Sequence, residues 1–249
     1  MKIEPDKIMQ EYFNYLRHYR GVSEKTLKRY ESTIRDLLEY GITKKGTDRF
    51  LKSLKKYKES SIQTKIVIAK SFVKYLYEHG YIKENYLANA KAPRYHSLPK
   101  YLTDEEFKAI TDKMNDYYRA LAIFLRNTGL RISEYHNLTE KDIRITGEYA
   151  ELRIKGKGNK ERVLLIERKL LDLANKYRLF ENKKSIRAIQ KYFNKHGIHP
   201  HLLRHTFAVE FLNRGGAINQ LQAILGHSNI AITDIYTKVT SNNVVIKAF

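Results

Sequence analysis

The chain has 249 residues, 42% of them apolar, with 47 Lys and Arg against 27 Asp and Glu and no cysteine. That composition excludes a disordered chain and a disulfide-stapled secreted domain, and no apolar run reaches the roughly 20 residues that span a bilayer. The N-terminal stretch MKIEPDKIMQEY lacks the apolar core of a signal peptide, so a cytoplasmic protein without a membrane partner is expected. The surplus of positive charge is shared. Residues 1–98 carry 21 basic and 11 acidic side chains and residues 99–249 carry 26 and 16, a surplus of ten in each part. A basic tail would concentrate that charge. Two basic parts suit a long polyanion gripped from two sides, with general solubility as the bland alternative.

Helices are expected first. Ile8, Tyr12, Tyr15, Leu16 and Tyr19 recur at helical spacing. Ser23 can cap a second helix bearing Leu27, Tyr30, Ile34, Leu37 and Leu38, which Gly41 can stop. A third holds Phe50, Leu51, Leu54 and Tyr57. A fourth runs from about Ser61 to Glu78 with Ile62, Ile66, Ala69, Val73 and Leu76 on its apolar face. The tyrosines read as core in preference to base-stacking platforms. The stretch AKAPRYHSLPKYLT, residues 90–103, has two prolines six residues apart with basic residues between them, which suits an extended linker. The expected division is a helical domain at 1–90, a linker at 91–100 and a second domain at 101–249.

The second domain reads as mixed. Thr103 and Glu106 form a capping box. The segment DYYRALAIFLRNTG is a helix ending at Gly129. DIRIT, YAELRI and RVLLI read as three short strands joined by turns at Thr146-Gly147 and at KGKGNK. Helices return from about Lys169. The fold class expected is mainly α with a small antiparallel β-sheet.

HPHLLRHTFA, residues 199–208, gathers three of the nine histidines beside an arginine. His201 and His205, four apart, could share a metal. However, no third ligand is evident, no HExxH pattern occurs, and Arg204 would stand beside the cation. No metal is expected, and His199 and His205 read as structural. His201 and Arg204, three apart, meet on one helix face behind Pro200, a good first helical residue. Arginine offers a planar fork matched to phosphate, and histidine can give or take a proton near neutrality. Together they form a fragment of a phosphoryl-transfer site. TGLRISEY sets Arg131 just after a helix-ending glycine. IKGKGNKERV is a hairpin whose turn carries Lys155, Lys157 and Lys160. LGHSNIAITDIYTKV sets His227 after Gly226 and Tyr236 nine residues later.

TGLRISE, GKGNKER, HLLRHTFA and LGHSNIAITDIYTKV resemble, in order and spacing, the four motif blocks of the tyrosine recombinases, and among these the Xer-type and phage-integrase-like members. The blocks span about residues 126–240, and the helical domain and linker fit the family's two-domain clamp on duplex DNA. The resemblance implies that Tyr236 is the nucleophile and that Arg131 and Arg204 clamp the scissile phosphate. It further implies that Lys157 protonates the leaving 5′ oxygen and that His201 and His227 assist by proton transfer or hydrogen bonding. Glu134 would support the site from behind. Lys157 competes with Lys155 and Lys160 for its assignment. Tyr135, where the family has an aliphatic residue, reads as a packing variant.

The activity implied is site-specific recombination of double-stranded DNA through a 3′-phosphotyrosyl intermediate and a Holliday junction, in a homo-tetramer on two sites. No cofactor is implied, since fixed cations can offset the transition-state charge without ATP or metal. A type IB topoisomerase or a DNA-binding protein with a decayed site are the rival readings. Chromosome-dimer resolution, element integration and plasmid maintenance all remain open, as does an accessory protein. The end of the chain, TKVTSNNVVIKAF, places Val244, Val245, Ile246 and Phe249 close together. These either fold back on their own domain or, as the resemblance favours, dock on a neighbouring protomer.

Overall fold

The computed structural model describes residues 4–93, 98–156 and 160–226, with Thr233, Asp234, Tyr236 and Thr237 beyond them. Lys157, His227 and the segment 241–249 lie outside the described residues. The chain divides into two compact units, Met1–His96 and Ser97–Phe249.

Among its described residues the first unit has four α-helices and a 3₁₀ turn. α1 (Pro5–Arg20) starts on a proline, whose fixed φ suits a first turn, and stops at Gly21, left-handed at φ 59°. It buries Ile8, Met9, Tyr12, Phe13 and Leu16. Tyr15 is half-buried and Tyr19 is 79% exposed, so the tyrosine stripe is core at one end only. α2 (Glu24–Tyr40) buries Leu27, Ile34 and Leu37. Ser23 holds the capping position, but its hydroxyl bonds that of Thr26 at 3.1 Å, and no backbone N–H is capped by it. α3 (Lys44–Ser53) is capped by Thr43, and a 3₁₀ turn at Leu54–Lys56 ends it before Tyr57. α4 (Glu59–Glu78) buries the expected Ile66, Ala69, Val73 and Leu76, and adds Ile68, Phe72 and Tyr75. Its buried arc is wide because it packs on α2, on the 3₁₀ turn and, through Phe72 and Tyr75, on Tyr12 of α1. Each large side chain sealed there contributes about 1.5–3 kcal/mol.

The second unit opens with α5 (Asp104–Thr111). The Thr103 hydroxyl accepts from the Glu106 N–H at 3.2 Å and the Glu106 carboxylate accepts from the Thr103 N–H at 2.9 Å. α6 (Asp116–Thr128) and α7 (Ile132–Asn137) follow, then β1 (Ile143–Thr146), β2 (Tyr149–Lys155) and β3 (Glu161–Glu167) in an antiparallel sheet of that order. Ala150, Leu152, Ile154, Leu164 and Ile166 face inward and are buried. α8 (Arg168–Lys176), α9 (Ile186–Lys195), α10 (Pro200–Asn213) and α11 (Ile218–Leu225) complete the described helices of this unit, and α6 packs on α10. Tyr135 is fully buried and its hydroxyl donates to the Leu179 carbonyl at 2.6 Å, which satisfies the polar end of a core aromatic. Among the described residues no helix is long and apolar enough to cross a membrane.

Candidate active site

The site assembles where α6 ends. Gly129 is left-handed at φ 63°, and a Cβ there would stand 2.5 Å from the Phe207 ring, so the stop requires glycine. The chain then turns, and Arg131 becomes the residue capping α7. Glu134, three residues on, reaches back: its carboxylate accepts from the Arg131 N–H at 2.9 Å and from Arg131 Nη1 at 2.7 Å. A contact three residues apart in sequence thus seats Arg131 against Glu134.

Arg204 arrives from α10 and is 3% exposed. Its Nη1 donates to the Gly129 carbonyl and its Nη2 to the Leu225 carbonyl, both at 2.6 Å. The Leu225 carbonyl also accepts from Arg131 Nη1 at 3.2 Å. One carbonyl at the C-terminal end of α11 thus joins two guanidiniums far apart in sequence. The negative end of that helix dipole favours both. Glu134, itself 3% exposed, lies 3.7 Å from Arg204. Burial, and then the charge of Arg131, pushes Arg204 down to about 10, which leaves it protonated at neutral pH. Burial alone would raise the Glu134 carboxyl, but hydrogen bonds from Arg162 and from the Arg131 N–H outweigh it and hold the group below the usual carboxylate range.

Tyr236 is 2% exposed and packs with Ala208, Val209, Leu221 and Leu225. Its hydroxyl and Nδ1 of His205 lie 2.8 Å apart in a hydrogen bond. Burial pushes its pKa up, while the charges of Arg204 and Arg131 act the other way, so both guanidiniums lie within electrostatic reach of the phenol. His201 stands at the surface in the first turn of α10, its ring stacked 6.4 Å from that of His205. Partial burial, then the charges of Arg204 and Arg131, hold it below the ordinary imidazole value and neutral at pH 7. His199 is structural: its Nδ1 accepts from the Leu202 N–H at 3.0 Å and caps α10.

Arg131, Arg204 and Tyr236 therefore converge, with His201 one turn from Arg204. Lys157 and His227 lie outside the described residues. The hairpin toward Lys157 closes through the Gly156 N–H on the Lys160 carbonyl at 2.8 Å, and Lys155 and Lys160 are exposed. Among the described residues no group of three or more His, Asp or Glu could hold a metal. Two residues escaped the sequence reading. His205 is more than a packing histidine, because it bonds the Tyr236 hydroxyl. Arg162 donates twice to Glu134. Its signal was present in the strand alternation, where it stands in register with inward-facing Leu164 and Ile166.

A guanidinium pair and neutral histidines beside a buried tyrosine bring positive charge, hydrogen-bonding groups and a hydroxyl together, a set that suits an anion. The phage integrase family model matches residues 100–185 and 174–243. A tyrosine recombinase of Thermosipho africanus is 33% identical over 94% of this chain and 95% of its own. Tyrosine recombinase XerA of Pyrococcus horikoshii is 33% identical over 95% and 90%. In fold, the chain is similar to lambda integrase residues 75–356 crystallised as a dimer on a core site (TM-score 0.78, 18% identity, 98% of each chain). It is also similar to the XerH recombinase bound to its difH substrate (TM-score 0.73, 17% identity, 94% and 82%). The chain belongs to the phage integrase family, the tyrosine-type site-specific DNA recombinases. Within that family it is Xer-like.

Proposed function

We propose that this recombinase cuts and rejoins DNA with Tyr236 as nucleophile, through a 3′-phosphotyrosyl intermediate and a Holliday junction, as a homo-tetramer on two sites. The observation that carries the reading is the pairing of Arg131 and Arg204 on the Leu225 carbonyl, within electrostatic reach of Tyr236. In the step proposed, the phenol oxygen attacks phosphorus and its proton passes to a neutral imidazole. The bond to the 5′ oxygen breaks, and that oxygen takes a proton from Lys157. The two arginines offset the charge gathered on the non-bridging oxygens, and removing such a donor commonly costs on the order of 10²–10³ in rate. The phosphotyrosyl ester conserves the broken bond, so a 5′ hydroxyl from another strand can reverse the step. His201 and His227 serve the phosphate by hydrogen bonding or proton transfer.

Residues 1–90 are the DNA-gripping helical domain in this reading, 91–100 the linker and 101–249 the catalytic domain. In this reading the protein acts in the cytoplasm. The test begins by mapping covalent attachment sites on genomic DNA from the same source and building a nicked substrate from them. Wild-type protein is expected to remain attached to the 3′ phosphate, and Tyr236→Phe to bind but form no adduct. An adduct with the Phe variant would place the nucleophile elsewhere. Relaxation of supercoils without exchange between two sites would favour a topoisomerase.

A further inference from the structure

The proposed chemistry makes no use of Arg162, yet this side chain joins three of the elements around the site. It stands on β3 opposite Ile154, in the inward register where an apolar residue belongs, and its side chain is 13% exposed. A buried guanidinium is costly unless its donors are met. Here Nη1 and Nη2 donate to the two Glu134 oxygens at 3.1 and 2.9 Å, and Nε donates to the Ile224 carbonyl at 2.6 Å. One group thereby ties β3 to α7 and to the C-terminal turn of α11.

Two glycines lie against the same guanidinium. A Cβ on Gly226 would stand 2.9 Å from Arg162 Nη1, and one on Gly156 would stand 3.7 Å from it. Gly156 immediately precedes Lys157, and Gly226 immediately precedes His227. At the far end of the fork, the Glu134 carboxylate also holds Arg131 by its N–H and by Nη1.

We infer that Arg162 is a positioning residue: it locks the hairpin stem leading to Lys157, and the helix end leading to His227, onto the carboxylate that orients Arg131. It touches no reacting atom and acts through Glu134 and the two backbones. The inference rests on the roles proposed above for Lys157, His227 and Arg131. Lysine cannot replace it, because a point charge cannot hold two carboxylate oxygens and a carbonyl in one plane.

The test uses the full chain carrying Arg162→Lys or Arg162→Met. Both variants are expected to bind DNA and to cleave a nicked substrate about ten- to hundredfold more slowly at saturating DNA, the scale of a misplacement of about 1 Å. A 5′-bridging sulfur needs no protonation to leave, so it is expected to recover part of the loss. A defect of stability alone would not respond to the leaving group. Wild-type cleavage by Arg162→Lys, or an equal loss on both substrates, overturns the inference. Amide hydrogen exchange on the DNA-free protein gives an independent reading. Arg162→Lys is expected to raise exchange at 150–156 and 222–226 selectively, and unchanged exchange there overturns the inference. That measurement decides it even if wild-type protein forms no adduct, a result that would instead overturn the proposed function.

Discussion

The Tyr236 hydroxyl is tied to His205 Nδ1 at 2.8 Å, with the two rings 5.6 Å apart. Burial, then the neighbouring His201, His199 and Arg204, pushes His205 down to about 4. At neutral pH the imidazole is therefore uncharged, and the bond joins two neutral groups. Protonating His205 would set a cation against Arg204.

A pH dependence of stability follows. The unfolded imidazole titrates near 6.5 and the folded one near 4. The unfolded chain binds more protons between those values, so stability is complete above about pH 6.5 and falls as pH drops toward 4. At about 1.4 kcal/mol per pKa unit, His205 accounts for up to about 3 kcal/mol of that fall. His199 and His201, also held below the ordinary value, act in the same direction. His205→Asn keeps a hydrogen-bonding group near the phenol but does not titrate. Urea unfolding at pH 7.5, 6 and 5 is expected to show a shallower decline for the variant, and parallel declines would remove His205 as the cause.

Glu134 is the one described carboxylate shared by Arg131, Arg162 and Arg204. Glu134→Gln leaves three partly or fully buried cations without their counter-charge. Breaking a buried pair from one side costs about 3–5 kcal/mol. The variant is expected to unfold at markedly lower urea and to cleave slowly even where it is folded. A loss under about 1 kcal/mol would mean that solvent already screens these pairs.

Lys157 is the general acid in the proposed mechanism, and glycines flank it in the sequence between β2 and β3. Lys157→Ala is expected to be slow on an ordinary phosphodiester and to recover much of its rate with a 5′-bridging sulfur. The same rescue seen only for Lys155→Ala or Lys160→Ala would move the assignment along the turn.

For the segment 241–249, deletion is expected to leave single-site DNA binding intact and to weaken assembly of two sites and recombination. Burying Val245, Ile246 and Phe249 on a neighbour would contribute roughly 5 kcal/mol before ordering costs. The size of the complex on DNA, measured with the truncated protein, decides the matter. Unchanged tetramers would sink docking, and an unfolded monomer would favour fold-back.

What the sequence determined by itself was local or periodic. The Thr103–Glu106 box, the Gly129 stop, the three strands and the His201–Arg204 face each depend on residues a few positions apart, where spacing dictates geometry. The motif blocks carried the family for the same reason: their residues sit at fixed short distances. Tertiary structure decided everything that joins distant segments. The Leu225 carbonyl that gathers Arg131 and Arg204 comes from backbone, which leaves no mark on the side-chain pattern. His205 read as structural because its partner lies 31 residues away. Ser23 read as a cap, but the Thr26 hydroxyl competes for it. Arg162 was visible only as a charge in an inward register. A strand position can announce that a buried charge needs a partner, but only packing determines that the partner is Glu134.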